Sequence, residues 1–211
     1  MIIVIGGDKG GTGKTTLTAN LAVFLMKKGK TVTVVKTDNN NSISDWYEER
    51  RQRKLPLFPL VECFGKVKDE IVLLNKRSDI VIVDTAGYDS PELRSALQCA
   101  DLLISPVRPS AATEVNSLTK VNNILKQAQA LNPKLEARVL FYRCKPNHHK
   151  ERIELYNYLL ADSDWIQPLK NYVTFSTAFE KSTEQGMGVH EMSNTATAKA
   201  QIELISQEIG V

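Results

Sequence analysis

The residues best equipped for chemistry lie near the start of the chain, in Gly7-Asp8-Lys9-Gly10-Gly11-Thr12-Gly13-Lys14-Thr15-Thr16. Glycines at this density let the backbone curl until successive N–H groups point at one oxygen-rich ligand. A helix starting at the end of the loop adds a partial positive charge of ~0.5. Lys14 is placed to reach the β- and γ-phosphates of a nucleotide, and the Thr15 hydroxyl to ligate magnesium. A second carboxylate of interest is Asp84, which ends the apolar run Ile80-Val81-Ile82-Val83 in the Walker B arrangement. It is expected to hold magnesium, through water, while Thr85-Ala86-Gly87 forms a flexible loop able to sense the γ-phosphate.

The standard phosphate loop begins with glycine where this chain has Asp8. With that departure, Lys9-Gly10-Gly11-Thr12-Gly13-Lys14-Thr15-Thr16 resembles the deviant Walker A box of the ParA/MinD ATPases, and the likeness extends over nearly the whole chain. The resemblance implies Mg-ATP held between two subunits, with Lys9 standing where the family's signature lysine crosses to the partner's phosphates, in the manner of an arginine finger. It assigns Gly10, Gly11, Thr12, Gly13, Lys14, Thr15 and Thr16 to the phosphates, Thr15 and Asp84 to Mg2+, and Lys9, Lys14 and Asp38 to catalysis. Asp38 matches the second aspartate of the family's Asp-x-Asp-Pro-Gln segment, which positions the attacking water. Lys36 replaces the first aspartate, Asn39 the proline and Asn40 the glutamine.

Lys36 and Asp38 face the same way on an extended chain. The lysine is therefore expected either to add charge beside magnesium or to pair with Asp38, and basal hydrolysis is expected to be slow. Ser105-Pro106-Val107-Arg108-Pro109-Ser110 resembles the family's Pro-Val-x-Pro-Ser turn, which brings Pro109 into the nucleotide site. Arg143 follows a strand end where the family contacts adenine, and a stacked guanidinium suits that role. Adenine over guanine is inherited from the resemblance, with the support that no Asn-Lys-x-Asp motif occurs.

The elements that must position these groups alternate along the chain. Strands are expected at 2–5, 31–35, 60–61, 80–83, 102–104 (closed by Pro106), 138–142 and 173–175. Helices are expected at 14–28, stopped by Gly29, and at 43–53, 67–76, 111–131, up to 160 and at the C-terminal end. Strands apolar throughout must be covered on both faces. The pattern thus predicts an α/β fold: a single doubly wound, mostly parallel sheet with helices on both faces, one P-loop domain over 1–211. Ligands of such sheets sit beyond the carboxyl ends of the strands.

A formal charge of +3 permits contact with nucleic acid or an anionic surface and proves neither. Cys63, Cys99 and Cys144 lie far apart, with no Cys-x-x-Cys, and read as reduced thiols rather than a metal or redox set. No signal-peptide core and no apolar stretch of membrane-spanning length is evident, so a cytoplasmic protein is expected, nucleoid-associated if it binds DNA. Two basic stretches, Arg50-Arg51 with Arg53-Lys54 and Lys145 to Arg152 around His148-His149, are candidates for a DNA-backbone patch or for plain solvated faces. Trp46 and Trp165 are expected to pack rather than stack on bases.

The resemblance leads to a short ParA-type partition ATPase: an ATP-bound homodimer, non-specific DNA, and a centromere-binding ParB-type partner that stimulates hydrolysis. The first strand opens the chain, as in ParA forms without an N-terminal helix-turn-helix. A MinD-like protein acting on a membrane, or another cargo-positioning ATPase, is the alternative. Its membrane form needs a basic amphipathic C-terminal helix, whereas Ala200 to Ile209 carries two glutamates and no lysine.

Overall fold

The computed structural model describes residues 1–109 and 113–211. Seven strands form one sheet: β1 (Ile2–Ile5), β2 (Val32–Lys36), β3 (Leu60–Glu62), β4 (Ile80–Asp84), β5 (Leu102–Val107), β6 (Glu136–Phe141) and β7 (Gln167–Pro168). Their spatial order is β3-β2-β4-β1-β5-β6-β7, and every neighbouring pair is parallel. The helices are α1 (Lys14–Lys27), α2 (Ser42–Gln52), α3 (Lys68–Asn75), α4 (Pro91–Leu97), α5 (Thr113–Gln129), α6 (His149–Leu160), α7 (Thr177–Glu184) and α8 (Ala196–Glu208).

Alternation along the central strands divides the core into two layers. Ile3, Ile5, Val34, Ile80 and Ile82 face α1, α2, α7 and α8, while Val4, Val35, Val81 and Val83 face α3 to α6. This doubly wound arrangement is the one that fully apolar strands require. Helix α1 ends where Gly29 adopts φ +80, donating to the Met26 carbonyl at 3.0 Å, as a left-handed helix stop does.

Several elements depart from the sequence expectation. β5 continues through Pro106 rather than closing there. Proline fits because β1, which accompanies β5 only as far as Ile104, has ended, so that no ladder partner awaits the missing N–H. The seventh strand is Gln167–Pro168, not 173–175. The latter segment still runs beside the chain leaving β6: Val173 donates to the Phe141 carbonyl at 2.9 Å, and Thr174 forms one isolated parallel bridge with Cys144. Two helices, α4 and α7, were not anticipated. Ser90 caps the first, its Oγ accepting from Leu93 N at 3.1 Å, and Ser176 caps the second, accepting from Ala178 N at 3.2 Å. Helix α5 begins at Thr113; Ser110 and Ala111, the end of the expected turn and the start of the expected helix, lie outside the described residues.

Of the α2 arginines read as either a DNA-backbone patch or a solvated face, Arg50 belongs to neither. Arg50 is fully buried, with Nη1 and Nη2 donating to Glu191 at 2.7 and 2.8 Å and further bonds to the Pro56 and Gly186 carbonyls. Arg51 and Arg53 pair along the helix surface with Glu48 and Glu49. Both tryptophans pack. Trp46 is buried against Phe58 with its indole N–H donated to the Met187 carbonyl at 3.2 Å, and Trp165 lies against Tyr158.

Candidate functional site

The carboxyl ends of β1, β2 and β4 converge on one cleft of about 270 Å³, open to solvent. Its lining includes Gly10, Gly11, Gly13, Lys14, Thr15 and Thr16 from the first loop, Asp38, Asn40 and Ser42 from the second, Thr85 and Gly87 from the third, and Arg143 and Thr183. Gly11 at φ +70 and Gly13 at φ +97 hold left-handed conformations that a side chain would strain, and a Cβ at Gly13 would collide with the ring of Tyr142. A Cβ at Gly87 would lie 2.7 Å from the Lys9 carbonyl oxygen, so the loop after β4 can rest on the first loop only as glycine.

Lys14 is buried, and its Nζ donates to the Lys9 carbonyl at 2.9 Å, curling the loop around its own lysine. Burial pulls its ammonium below the usual lysine range, and the charges of Asp84 and Asp38 partly restore it. Thr15 Oγ1 donates to Asp84 Oδ2 at 2.8 Å, and Thr18 Oγ1 reaches Oδ1 at 3.4 Å. Burial raises the Asp84 carboxyl to about 6, opposed by the Thr15 hydroxyl, Lys14 and Thr18, while Asp38 adds to the rise. A buried carboxylate and a hydroxyl side by side at the foot of a phosphate cradle are the donor set that magnesium favours, because this ion takes one or two carboxylates and fills its octahedron with water and phosphate oxygens. The residues present therefore fit the ion.

Asp38 is half-buried and folded into a local turn, accepting from the backbone N–H of Asn40 at 3.2 Å and from its side-chain amide. Lys36 does not pair with Asp38; its Nζ donates to Glu62 at 2.9 Å. Thr12 is buried, its hydroxyl without a hydrogen-bond partner among the described residues, and Pro109 is buried just after β5; neither lines the cleft. Lys9 is half-buried at the loop's outer turn, and Asp8 before it is held by Lys120 of α5 at 3.0 Å.

Arg143, at φ +58, lines both the cleft and a smaller pocket beside it, formed with Thr16, Tyr142, Thr174, Ser176, Phe179 and Glu180. Its guanidinium pairs with Glu180 at 2.7 Å and lies 5.4 Å from the Phe175 ring. The residues that sequence reasoning did not mark are Ser42, Thr183, Phe179, Glu180 and Arg108, whose guanidinium donates to the Gly11 carbonyl. Arg108 was legible as a loop arginine after a strand end; Thr183 and Phe179 carried no signal, since they enter through the unanticipated α7.

A doubly wound parallel sheet whose first strand feeds a glycine loop, a buried lysine followed by threonine and an opposed strand-end aspartate defines a P-loop nucleotide-binding protein. The model of the CobQ/CobB/MinD/ParA nucleotide binding domain matches residues 3–189, and the chain belongs to that family, the ParA/MinD group of P-loop ATPases. Among curated relatives, Protein ParA of Rhizobium radiobacter is 29% identical over 149 residues, covering 69% of this chain and 65% of the relative, slightly under two thirds of its length. Maintenance of carboxysome distribution protein A of Gloeobacter kilaueensis is 24% identical over 210 residues, covering 99% and 93%. In three dimensions, apo McdA of Cyanothece superposes with a TM-score of 0.77 at 15% identity, over 99% of this chain and 98% of that one, which concerns the fold alone.

Proposed function

We propose that this chain is an ATP-switched, ParA-type hydrolase that segregates DNA, working as a nucleotide-bound homodimer. The observation that carries the nucleotide half of this reading is the Thr15–Asp84 hydrogen bond at the foot of the glycine loop. Thr15 and Asp84 would hold magnesium, which when bound neutralises charge on the β- and γ-phosphates. Lys14 leaves the Lys9 carbonyl for the phosphate oxygens, at little cost because it exchanges one acceptor for a more charged one. Backbone N–H groups of the loop and of the first turn of α1 orient the same oxygens. Asp38 turns from Asn40 toward the attacking water and holds it in line. Its capture by Asn40 in the lone subunit is a physical reason for slow basal turnover and for acceleration by a partner protein of the ParB type. The pocket beside Arg143 offers Phe179 and an arginine plane to adenine. Lys9 adds a trans charge when two subunits meet, after the ParA/MinD pattern.

DNA as the surface rests on the family likeness and on the basic stretch from Lys145 to Arg152. Arg50 is buried and cannot contribute to such a patch, while Arg51 and Arg53 pair on the surface with Glu48 and Glu49, as Lys150 does with Glu154 and His148 with Glu151. The removal of Arg50 from the patch favours a second reading, a cargo-positioning ATPase whose partner is protein, in keeping with the carboxysome-distribution relative. The membrane variant has less support. The apolar face of α8 is spent on the core through Ala198, Ile202 and Ile205, and among the described residues no helix is long and apolar enough to cross a membrane.

Retention of non-specific duplex DNA with ATP and with ADP, across a salt series, separates the readings. Retention only with ATP, falling steeply as salt rises, is the expected result for phosphate contacts that release counterions. Absence of retention in both states overturns the DNA reading and leaves the nucleotide switch with a protein partner.

A further inference from the structure

Across the edge of the sheet, one register row carries three charged residues. Lys36 on β2 is the lateral partner of Glu62 on β3 and of Asp84 on β4. Laterally paired residues of a parallel sheet point to the same face, with neighbouring strands ~4.8 Å apart. Lysine thus stands between two carboxylates, one on the sheet edge and one at the candidate magnesium site. The lysine side chain is 5% exposed and Glu62 51% exposed, so the ammonium is drawn outward along the row, away from Asp84. Glu62 also accepts from Ser44 Oγ at 3.2 Å, in the first turn of α2, which ties the edge carboxylate to the far end of the loop containing Asp38. Asp84 takes its bonds from Thr15 and Thr18 on the opposite side.

A buried ammonium is stabilised most by an anionic partner within reach of its stem. With Glu62 intact, that partner lies on the edge. Without it, the only other carboxylate in the row is Asp84, and a four-carbon stem spans one strand spacing easily. An ammonium resting on Asp84 places a positive charge where a dication must approach.

We propose that Lys36 is a latent competitor for the magnesium site, and that Glu62 keeps it inactive by holding the ammonium off Asp84. The chain thereby carries its own competitor for the metal, kept aside by one edge carboxylate. The proposal rests on the reading of Thr15 and Asp84 as magnesium-binding residues.

The test is binding, not turnover: a fluorescent ADP analogue titrated with magnesium chloride, for the wild type, Glu62→Gln, Lys36→Met and the double variant. Glu62→Gln is expected to raise the magnesium concentration needed for half-maximal nucleotide retention, on the order of tenfold for one unit charge moved near a dication. Lys36→Met and the double variant are expected to need no more magnesium than the wild type, because removing the ammonium removes the competitor. A Glu62→Gln defect that persists in the double variant overturns the proposal, since damage to β3 alone would not be rescued by Lys36→Met. An unchanged magnesium requirement in Glu62→Gln also overturns it. A wild type that binds the nucleotide equally well without magnesium overturns the underlying reading of Thr15 and Asp84, and the proposal with it.

Discussion

At the scale of single residues, the site is organised by what burial does to two charges. Asp84 titrates near 6 rather than in the usual carboxylate range because it is buried before any ion arrives. Its folded value lies above its unfolded one, so its contribution to stability is fully present below about pH 4 and is lost as pH rises through about 6. Ionising the buried carboxyl at neutral pH therefore costs stability, and a dication bound there, as proposed, would offset that cost. Asp84→Asn is expected to raise the melting temperature of the metal-free protein at pH 7 by roughly 5 °C, from a few kcal/mol of relieved desolvation. The same change should abolish the stabilisation that the wild type gains from magnesium with ADP. Differential scanning fluorimetry with and without magnesium checks both, and an unchanged or lower melting temperature for the metal-free variant counts against the account. The two lysines of the loop should separate in function: Lys14→Ala is expected to lose nucleotide binding by tenfold or more, the scale of a charge-assisted phosphate contact. Lys9→Ala should keep affinity while losing hydrolysis. Equilibrium dialysis and phosphate release distinguish them.

At the scale of elements, what could be read from the sequence was what repeats. Continuous apolar runs gave β1, β2 and β4, and helical spacing placed α1, α2 and α3 within a residue or so, because periodicity and glycine stops are local. Helices α4 and α7 escaped because each is short, and a Ser cap before a seven- or eight-residue segment is a weak signal until tertiary packing supports it. The loop carrying Lys14, Thr15 and Gly13 was legible because its chemistry requires contiguous residues. Glu180, Phe179 and Thr183 were not, because they meet the cleft through α7. Nor did the sequence distinguish Arg50 from Arg51, since only the fold brings Glu191, distant in sequence, to one of them. The resulting pair clamps α2 to the turn after α7, where Gly186 at φ +60 lies against the Arg50 backbone. Glu191→Ala is expected to destabilise the fold by about 3–5 kcal/mol, because it strands a buried guanidinium. Glu48→Ala, which breaks a surface pair with Arg51, should leave stability nearly unchanged. Urea unfolding of the two variants reads this contrast directly; similar midpoints would mean that water reaches Arg50.

At the scale of the whole molecule, the sheet order gathers the site at one end of the sheet and leaves it open on one side. The strand ends of β1, β2 and β4 supply a floor, and the loops of α1 and α2 supply two walls, yet the cleft remains open to solvent. Charge on transferring phosphates is stabilised best where water is excluded, since the same donors weaken in a high dielectric. In the proposed dimer, closure by a second copy would satisfy that requirement and would bring another Lys9 to the phosphates. Light scattering should therefore find a monomer with ADP and a dimer with ATP when Asp38→Ala slows turnover enough to hold the triphosphate. Lys9→Ala in that background is expected to weaken the dimer at least tenfold, the worth of one lost charge-assisted contact. The measurement belongs well above micromolar protein, so that a weak dimer is not missed. A monomer in both nucleotides would mean that the open side is closed by something else, and Lys9 would then have to act within its own chain. An ATP dimer that persists unweakened in the Lys9→Ala background would keep the sandwich but take the lysine out of it, leaving Arg108, whose guanidinium already rests on the Gly11 carbonyl, as the nearer source of charge.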